Sequence, residues 1–283
     1  MEDRHADAIA GRQTPTSAPN QPLKPDYRNW VPKGMVAGFL CGAAVCLVVC
    51  LVLAGLLPSG VAKNVLVAIF AIGTVCLAVA GIWMLLLHRA FSYDGTRQMS
   101  RQIIEGVAAH VNLPEGGVGL DVGCGSGALT IACAKSNPQG RMIGIDRWGK
   151  EYASFNKPLC ERNAVAEGVE NVEFERGDAT QLDFPDETFD AVTSNYVYHN
   201  IPSRDRQAIL LETLRTLKKG GTFALHDIMS KSKYGDIEAF ADKLRDMGYE
   251  HVELIDTTDG MFMSRGEARW MELSGSALLV GRK

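Results

Sequence analysis

Residues 117–128, Gly-Val-Gly-Leu-Asp-Val-Gly-Cys-Gly-Ser-Gly-Ala, carry the pattern with the clearest chemistry in this chain. An apolar run ends in Asp121, and Gly123, Gly125 and Gly127 follow at alternate positions before an apparent helix from Ala128 to Lys135. Strand, tight turn and helix in that order bring bare backbone against a ligand at the carboxyl edge of a parallel sheet. Glycine suits such a turn because a Cβ would block both the positive-φ backbone and the ligand's approach. Gly123-x-Gly125-x-x-Ala128 also fits a dinucleotide fingerprint, so the loop alone leaves the ligand open.

Three acids separate the candidates. Asp121 stands two residues before the first glycine, where a pyrophosphate would meet a carboxylate but an ammonium group would be welcomed. Asp146 closes the second strand candidate, where a carboxylate can accept both hydroxyls of a ribose. Gly177-Asp178-Ala179 closes the third, where a short acid can face an adenine amino group. One acid in a loop is ordinarily just solvated; acids at three consecutive strand ends are harder to dismiss.

Together these features resemble the class I S-adenosylmethionine-dependent methyltransferases over roughly residues 91–283. The resemblance rests on Leu-Asp-Val-Gly-Cys-Gly-Ser-Gly (120–127), Ile-Gly-Ile-Asp (143–146), Gly-Asp-Ala-Thr-Gln-Leu-Asp-Phe-Pro-Asp-Glu-Thr-Phe-Asp (177–190) and Leu-Lys-Lys-Gly-Gly-Thr-Phe (217–223). The third run is most similar to the branch holding quinone-biosynthesis, sterol or lipid, and small-molecule enzymes. The resemblance implies S-adenosylmethionine as cofactor. Asp121 with the loop residues Gly123, Cys124, Gly125 and Gly127 would hold its methionine moiety, Asp146 its ribose, and Asp178 with Ala179 its adenine. Arg147 and Trp148 would flank the adenosine, and Asn195 would line the floor near the sulfonium. Phe91, Tyr93 and Gly95 resemble the segment that closes over the cofactor.

A sulfonium already activates its methyl group, so in-line positioning supplies much of the rate. A base matters only for a hydroxyl or acidic-carbon acceptor. Tyr198 and His199, just past the fourth strand candidate, are the first choice as catalytic residues, although His199 would serve equally to orient a loop. His226 and Asp227 are the second choice, with capping of the next loop as their plainer role. Cys124, Cys133 and Cys160 lack metal-ligand spacing, so no metal site is expected. The family pattern leaves the acceptor unassigned; an insert with Met261, Phe262, Met263, Trp270 and Met271 would cover an apolar one or simply pack an edge strand.

The elements that must position these residues alternate from Thr96 onward. Strands are expected at 118–122, 142–146, 172–176, 189–194, 222–228, 251–257 and 276–282, with helices at 128–136, 150–167, 203–218 and 235–247. The fold class is α/β: a Rossmann-like, seven-stranded, mostly parallel sheet with an antiparallel edge hairpin. Two transmembrane helices are expected before it. Residues 34–57 and 65–87 contain no charged side chain, and each run exceeds the ~20 residues that span a bilayer. The expected organisation is a disordered cytoplasmic tail (1–33), a transmembrane hairpin (34–87) and a cofactor-binding domain (88–283).

Five basic residues precede the hairpin, one (Lys63) lies in its connection, and Arg89, Arg97 and Arg101 follow it, which predicts both termini and the domain on the cytoplasmic side. Tyr27, Trp30 and Trp83 are expected as interfacial anchors. Gly34, Gly38 and Gly42 form a small-residue stripe that fits packing within the hairpin or homo-oligomerisation. Residues 88–283 carry a formal −6, from 23 basic and 29 acidic residues, which disfavours nucleic acid as partner. The expected activity is therefore methyl transfer to a small or lipid acceptor at a membrane. A tethered cofactor-binding scaffold without turnover is one rival. A nicotinamide-dependent oxidoreductase is the other; it would need a second catalytic domain.

Overall fold

The computed structural model describes residues 23–149 and 154–283. Two long helices come first, α1 (Lys33–Leu56) and α2 (Val61–Ala90), packed as a hairpin. They are apolar all round rather than on one stripe, and side chains such as Val45, Leu51 and Val75 are more than 60% exposed. Neither helix is the buried core helix of a globular domain. Gly42 of the small-residue stripe faces Leu77 across the hairpin, whereas Gly34 and Gly38 face open space. The stripe is thus divided between the hairpin seam and its outside.

The sheet follows: β1 (Val118–Val122), β2 (Arg141–Asp146), β3 (Val172–Arg176), β4 (Phe189–Asn195), β5 (Leu217–Ile228), β6 (Glu250–Asp256) and β7 (Ser276–Arg282). Its order is β3-β2-β1-β4-β5-β7-β6. The first five strands are parallel, and β7 runs antiparallel between β5 and β6. The expected antiparallel pair is present, but β6 forms the edge and the last strand is inserted inside it. Strand order reverses between β1 and β4, and the crevice above that point is where open α/β sheets bind ligands.

Helices α3 (Met99–Ala108), α4 (Ala128–Ser136) and α5 (Lys157–Glu167) are followed by α6 (Arg206–Arg215), α7 (Lys231–Tyr234), α8 (Ile237–Asp246) and α9 (Arg265–Trp270). The first three and α9 share one apolar core with the C-terminal end of α2 (Leu87, Ala90) and Phe91; α6 and α8 close the other. Helix α5 begins later than position 150 because Asn156 caps it, accepting the Leu159 N–H at 2.9 Å, with Pro158 in the first turn; residues 150–153 lie outside the described part. Helix α6 ends before 218 because Leu217 already pairs with Phe189 in the sheet. Helix α9 was missed in the insert, although Ser264-x-x-Glu267 forms a capping box there.

Residues 23–32 correct the expectation of a disordered tail through position 33; residues 1–22 lie outside the described part. The backbone of Asp26 exchanges two hydrogen bonds with Asn163 (2.7 and 3.0 Å), which also donates to the Ser126 carbonyl in the glycine loop. Asn29 donates to the His88 carbonyl, and His88 Nδ1 returns a bond to the Val31 carbonyl (2.7 Å). The presumed interfacial aromatics belong to this docking. Tyr27 stacks on Tyr93 at 4.5 Å, Trp30 packs on Phe91 at 5.1 Å, and the Trp83 indole donates to the Trp270 carbonyl of α9 at 2.9 Å. Each of these rings thus has a partner in the domain as well as a place near the end of an apolar run. The strap and hairpin are bolted to the domain near its ligand crevice.

Replacing the fully buried Asn163 by Ala strands the Ser126 carbonyl and frees the strap. The expected loss is about 1–3 kcal/mol, seen as a lower midpoint of thermal unfolding together with faster tryptic cleavage after Arg28.

Candidate active site

The loop after β1 is shaped by its own backbone. Gly123, Gly125 and Gly127 take φ of 78°, 56° and 81°, a region costly for side-chain-bearing residues. The Gly123 and Cys124 N–H groups both donate to the Ile145 carbonyl (2.8 and 2.9 Å), which pins the turn to the end of β2. A Cβ at position 123 would overlap Val197, and one at 127 would press on Phe174 and Cys160. At Gly125 a Cβ would meet nothing within 4 Å, so this is the open side of the loop. Gly144 in β2 was not singled out from sequence, yet a Cβ there would strike Thr130 and Cys124. A glycine between isoleucines in a buried strand is the signal that could have found it.

Asp146 ties the next strand end to this loop. Its carboxylate accepts the Gly125 N–H at 2.9 Å and the Trp148 N–H at 2.7 Å. Trp148 has φ 43°, and its indole donates to the Gly125 carbonyl at 3.0 Å, so the ring backs onto the loop. Asp178 accepts from the Thr180 N–H and hydroxyl (2.9 and 2.7 Å), which holds its carboxyl below the usual range; Arg147 stands 4.0 Å away. Ala179 packs against the core on the α6 side.

Asp121 is buried, and its carboxylate accepts the Thr130 hydroxyl at 2.6 Å. Burial, reinforced by the charge of Asp146 and opposed by the Thr130 bond, pushes it up to about 7. A carboxyl held near neutrality beside an open glycine backbone fits a cationic group better than a phosphate. These residues therefore fit S-adenosylmethionine, which carries both an ammonium and a sulfonium charge.

Two of the expected cofactor contacts are corrected. The Cys124 thiol lies buried under the loop, hydrogen-bonded with the free thiol of Cys160, and burial keeps it un-ionised; its N–H is already spent on Ile145. Tyr93 lines a cavity of about 250 Å³ between α3 and α4 with Tyr27, Glu105, Lys135 and Glu167, and that cavity reaches the loop only at Ala128.

At the ends of β4 and β5 the two catalytic candidates part company. Tyr198 is fully buried, its hydroxyl bonds Thr213 Oγ1 at 2.8 Å, and burial holds its proton firmly. It is a core residue of the α6 side, not a catalytic group. His199 is 15% exposed by side chain, and its Nδ1 lies 2.5 Å from Asp227 Oδ1. Asp227 also accepts the His199 and Ile228 N–H groups, so its carboxylate holds the Nδ1 edge of the ring and leaves Nε2 on the opposite edge. Asp227 thus orients His199 rather than pairing with His226.

Buried His226 bonds Asn195 Oδ1 (2.8 Å) and Thr257 Oγ1 (3.0 Å), and burial pulls it down to about 3, so it stays neutral. Tyr196, at φ 54°, bonds Ser276 and meets His226 and His199 edge to face; Trp30 and Phe262 complete an aromatic wall. Sequence reasoning passed over Tyr196 and gave Trp30 to the membrane interface, because nothing local shows that a strap from position 30 reaches β4.

The raised Asp121 predicts a pH-dependent cofactor site. A bound cation favours the ionised carboxylate, so below pH about 7 binding must expel a proton. S-adenosylmethionine affinity in calorimetric titrations should fall about tenfold per pH unit below 7 and level off above it. Asp121→Asn should flatten that profile. Without ligand the sign reverses: the folded state favours neutral Asp121, so its stabilising contribution is lost as pH rises from about 4 through 7.

Comparison with known proteins agrees with this geometry. A family model described as a methyltransferase domain matches residues 120–221. The chain is 29% identical over 171 residues to demethylmenaquinone methyltransferase of Geobacillus stearothermophilus, covering 59% of this chain and 67% of that one. It is 29% identical over 177 residues to 27-O-demethylrifamycin SV methyltransferase of Amycolatopsis mediterranei, covering 62% of each. The fold is similar to the crystal structure of the cyclase SpnF, with a TM-score of 0.51 and 20% identity over 68% of this chain and 85% of that one. A cyclase on the same fold shows that the architecture alone does not name a reaction. The family match and the shape of the glycine loop do more: the chain carries a methyltransferase domain of the class I S-adenosylmethionine-dependent type, with S-adenosylmethionine as its cofactor.

Proposed function

We propose that this protein is a membrane-anchored methyltransferase acting on a small, lipophilic acceptor, with His199 as general base. The observation that carries the proposal is the His199–Asp227 pair, which presents a free Nε2 beneath an aromatic wall at the ligand-binding edge of the sheet. Bound S-adenosylmethionine supplies an electrophilic methyl group. Asp121 and the glycine loop hold its amino-acid end, Asp146 its ribose, and Trp148, Asp178 and Ala179 its adenosine. As the acceptor oxygen takes the methyl group, the S–CH3 bond breaking to leave a neutral thioether, the hydroxyl proton would pass to His199 Nε2, while Asp227 holds the ring and offsets the charge that forms. Trp30, Tyr196 and Phe262 exclude water and favour an apolar acceptor body.

The relatives' names, a demethylmenaquinone and a demethylrifamycin enzyme, support a small-molecule acceptor. Helices α1 and α2 are long and apolar enough to cross a membrane, and their exposed apolar surface would be costly in water. The basic residues on both sides of the hairpin favour cytoplasmic termini, with residues 88–283 as the catalytic domain. Docking of α2 on α9 keeps the crevice beside the bilayer, where a lipid-dissolved acceptor is concentrated.

Incubating the full-length protein in native-lipid vesicles with S-adenosylmethionine labelled in its methyl group should place label in the organic-solvent extract. His199→Ala should lower that rate about 10²-fold or more with cofactor affinity unchanged. Label confined to the aqueous phase would overturn the lipophilic acceptor, and full activity of His199→Ala would overturn the base.

A further inference from the structure

The His199–Asp227 pair is flanked by two very short segments. His199 lies in a three-residue turn, Tyr198–Asn200, and Asp227 is followed by the four-residue helix α7. Neither is long enough to hold its own shape. Arg206, the first residue of α6, holds both. Its Nε donates to the Tyr198 carbonyl (3.1 Å), Nη2 to those of Ile201 (3.1 Å) and His199 (3.5 Å), and Nη1 to that of Lys233 in α7 (3.0 Å). These four bonds all go to backbone carbonyls. A rigid planar fork used in this way fixes direction, which a lysine cannot copy.

Helix α7 in turn carries Tyr234, 3% exposed. Its hydroxyl is buried without a partner at bonding distance, yet it faces Asp227. Burial and that neighbouring carboxylate hold the phenol in its protonated form, so toward Asp227 it can only offer a hydrogen. The other groups around the pair are already engaged: Tyr196 with Ser276, Tyr198 with Thr213, and His226 with Asn195 and Thr257.

We propose that Arg206 and Tyr234 are positioning residues that lock the His199–Asp227 pair, Arg206 by tying the 198–201 turn to α7 and Tyr234 by backing the Asp227 carboxylate. The catalytic meaning of this clamp rests on the reading of His199 as base. Arg206 touches neither reactant; it sets where Nε2 points. Tyr234 restrains the carboxylate that keeps the proton on Nδ1.

The test is nuclear magnetic resonance of full-length protein in phosphatidylcholine nanodiscs with ring-15N histidine, the six histidines being resolved with the aid of His199→Gln. The parent should show His199 protonated at Nδ1 alone, with a far-downfield Nδ1–H resonance. Arg206→Lys keeps the charge but loses the fork, and should lose that resonance and populate both tautomers. Tyr234→Phe should move the resonance upfield. S-adenosylmethionine affinity should change less than twofold in either variant. A single Nδ1-protonated ring with an unmoved resonance in both variants would overturn the proposal. If Arg206→Lys fails to bind the cofactor, Tyr234→Phe, which removes one oxygen atom, decides alone. No acceptor is needed, so a His199→Gln protein that still transfers methyl groups would remove the base and leave the clamp standing.

Discussion

The grip of Asp146 on the glycine loop is the interaction on which the site depends. A carboxylate at the end of β2 receives the Gly125 and Trp148 N–H groups, while the Ile145 carbonyl beside it receives those of Gly123 and Cys124. Four backbone donors from two loops therefore converge on two consecutive residues of one strand. The left-handed turn at the end of β1 would otherwise leave those groups unsatisfied. The same arrangement keeps the open side of Gly125 facing the crevice and folds Trp148 against the loop. Asp121 is buried behind it, where desolvation makes a cation its natural partner.

The N-terminal strap and helical hairpin are not an appendage to that site. Asn163 joins the strap at Asp26 to the glycine loop at Ser126, and Trp30 lies between Phe91, at the end of α2, and Tyr196, at the end of β4. The domain-proximal end of the hairpin, the strap and the aromatic wall thus share one apolar core. This explains why Tyr27, Trp30 and Trp83, which look like lipid anchors from their position along the chain, also hold protein partners.

The fold also divides labour between neighbours in sequence. Tyr198 and His199 are adjacent, but the turn after β4 sends one ring into the core under α6 and the other to the ligand edge. His226 and Asp227 alternate in the same way at the end of β5, one locked neutral between Asn195 and Thr257, the other joined to His199. In both pairs one residue builds the frame and its neighbour faces the chemistry.

Most of the frame was legible in the amino-acid order, because it is set by local rules. Alternating apolar runs, glycines at Gly123, Gly125 and Gly127, and acids closing successive strands specify a parallel sheet with a cofactor loop. Two uncharged runs specify the long apolar helices. These are properties of a few neighbouring residues, and proximity along the chain is enough to read them. Tertiary structure alone decided which of Tyr198 and His199 reaches the site, that Asp227 is the partner of His199, that β7 inserts inside β6, and that residues 23–32 dock rather than dangle. Each of these depends on residues far apart in sequence meeting in space: Asp26 with Asn163, Trp30 with Tyr196, His199 with Asp227. No local pattern encodes such a meeting, because the pairing energy exists only once the sheet has brought its strand ends together.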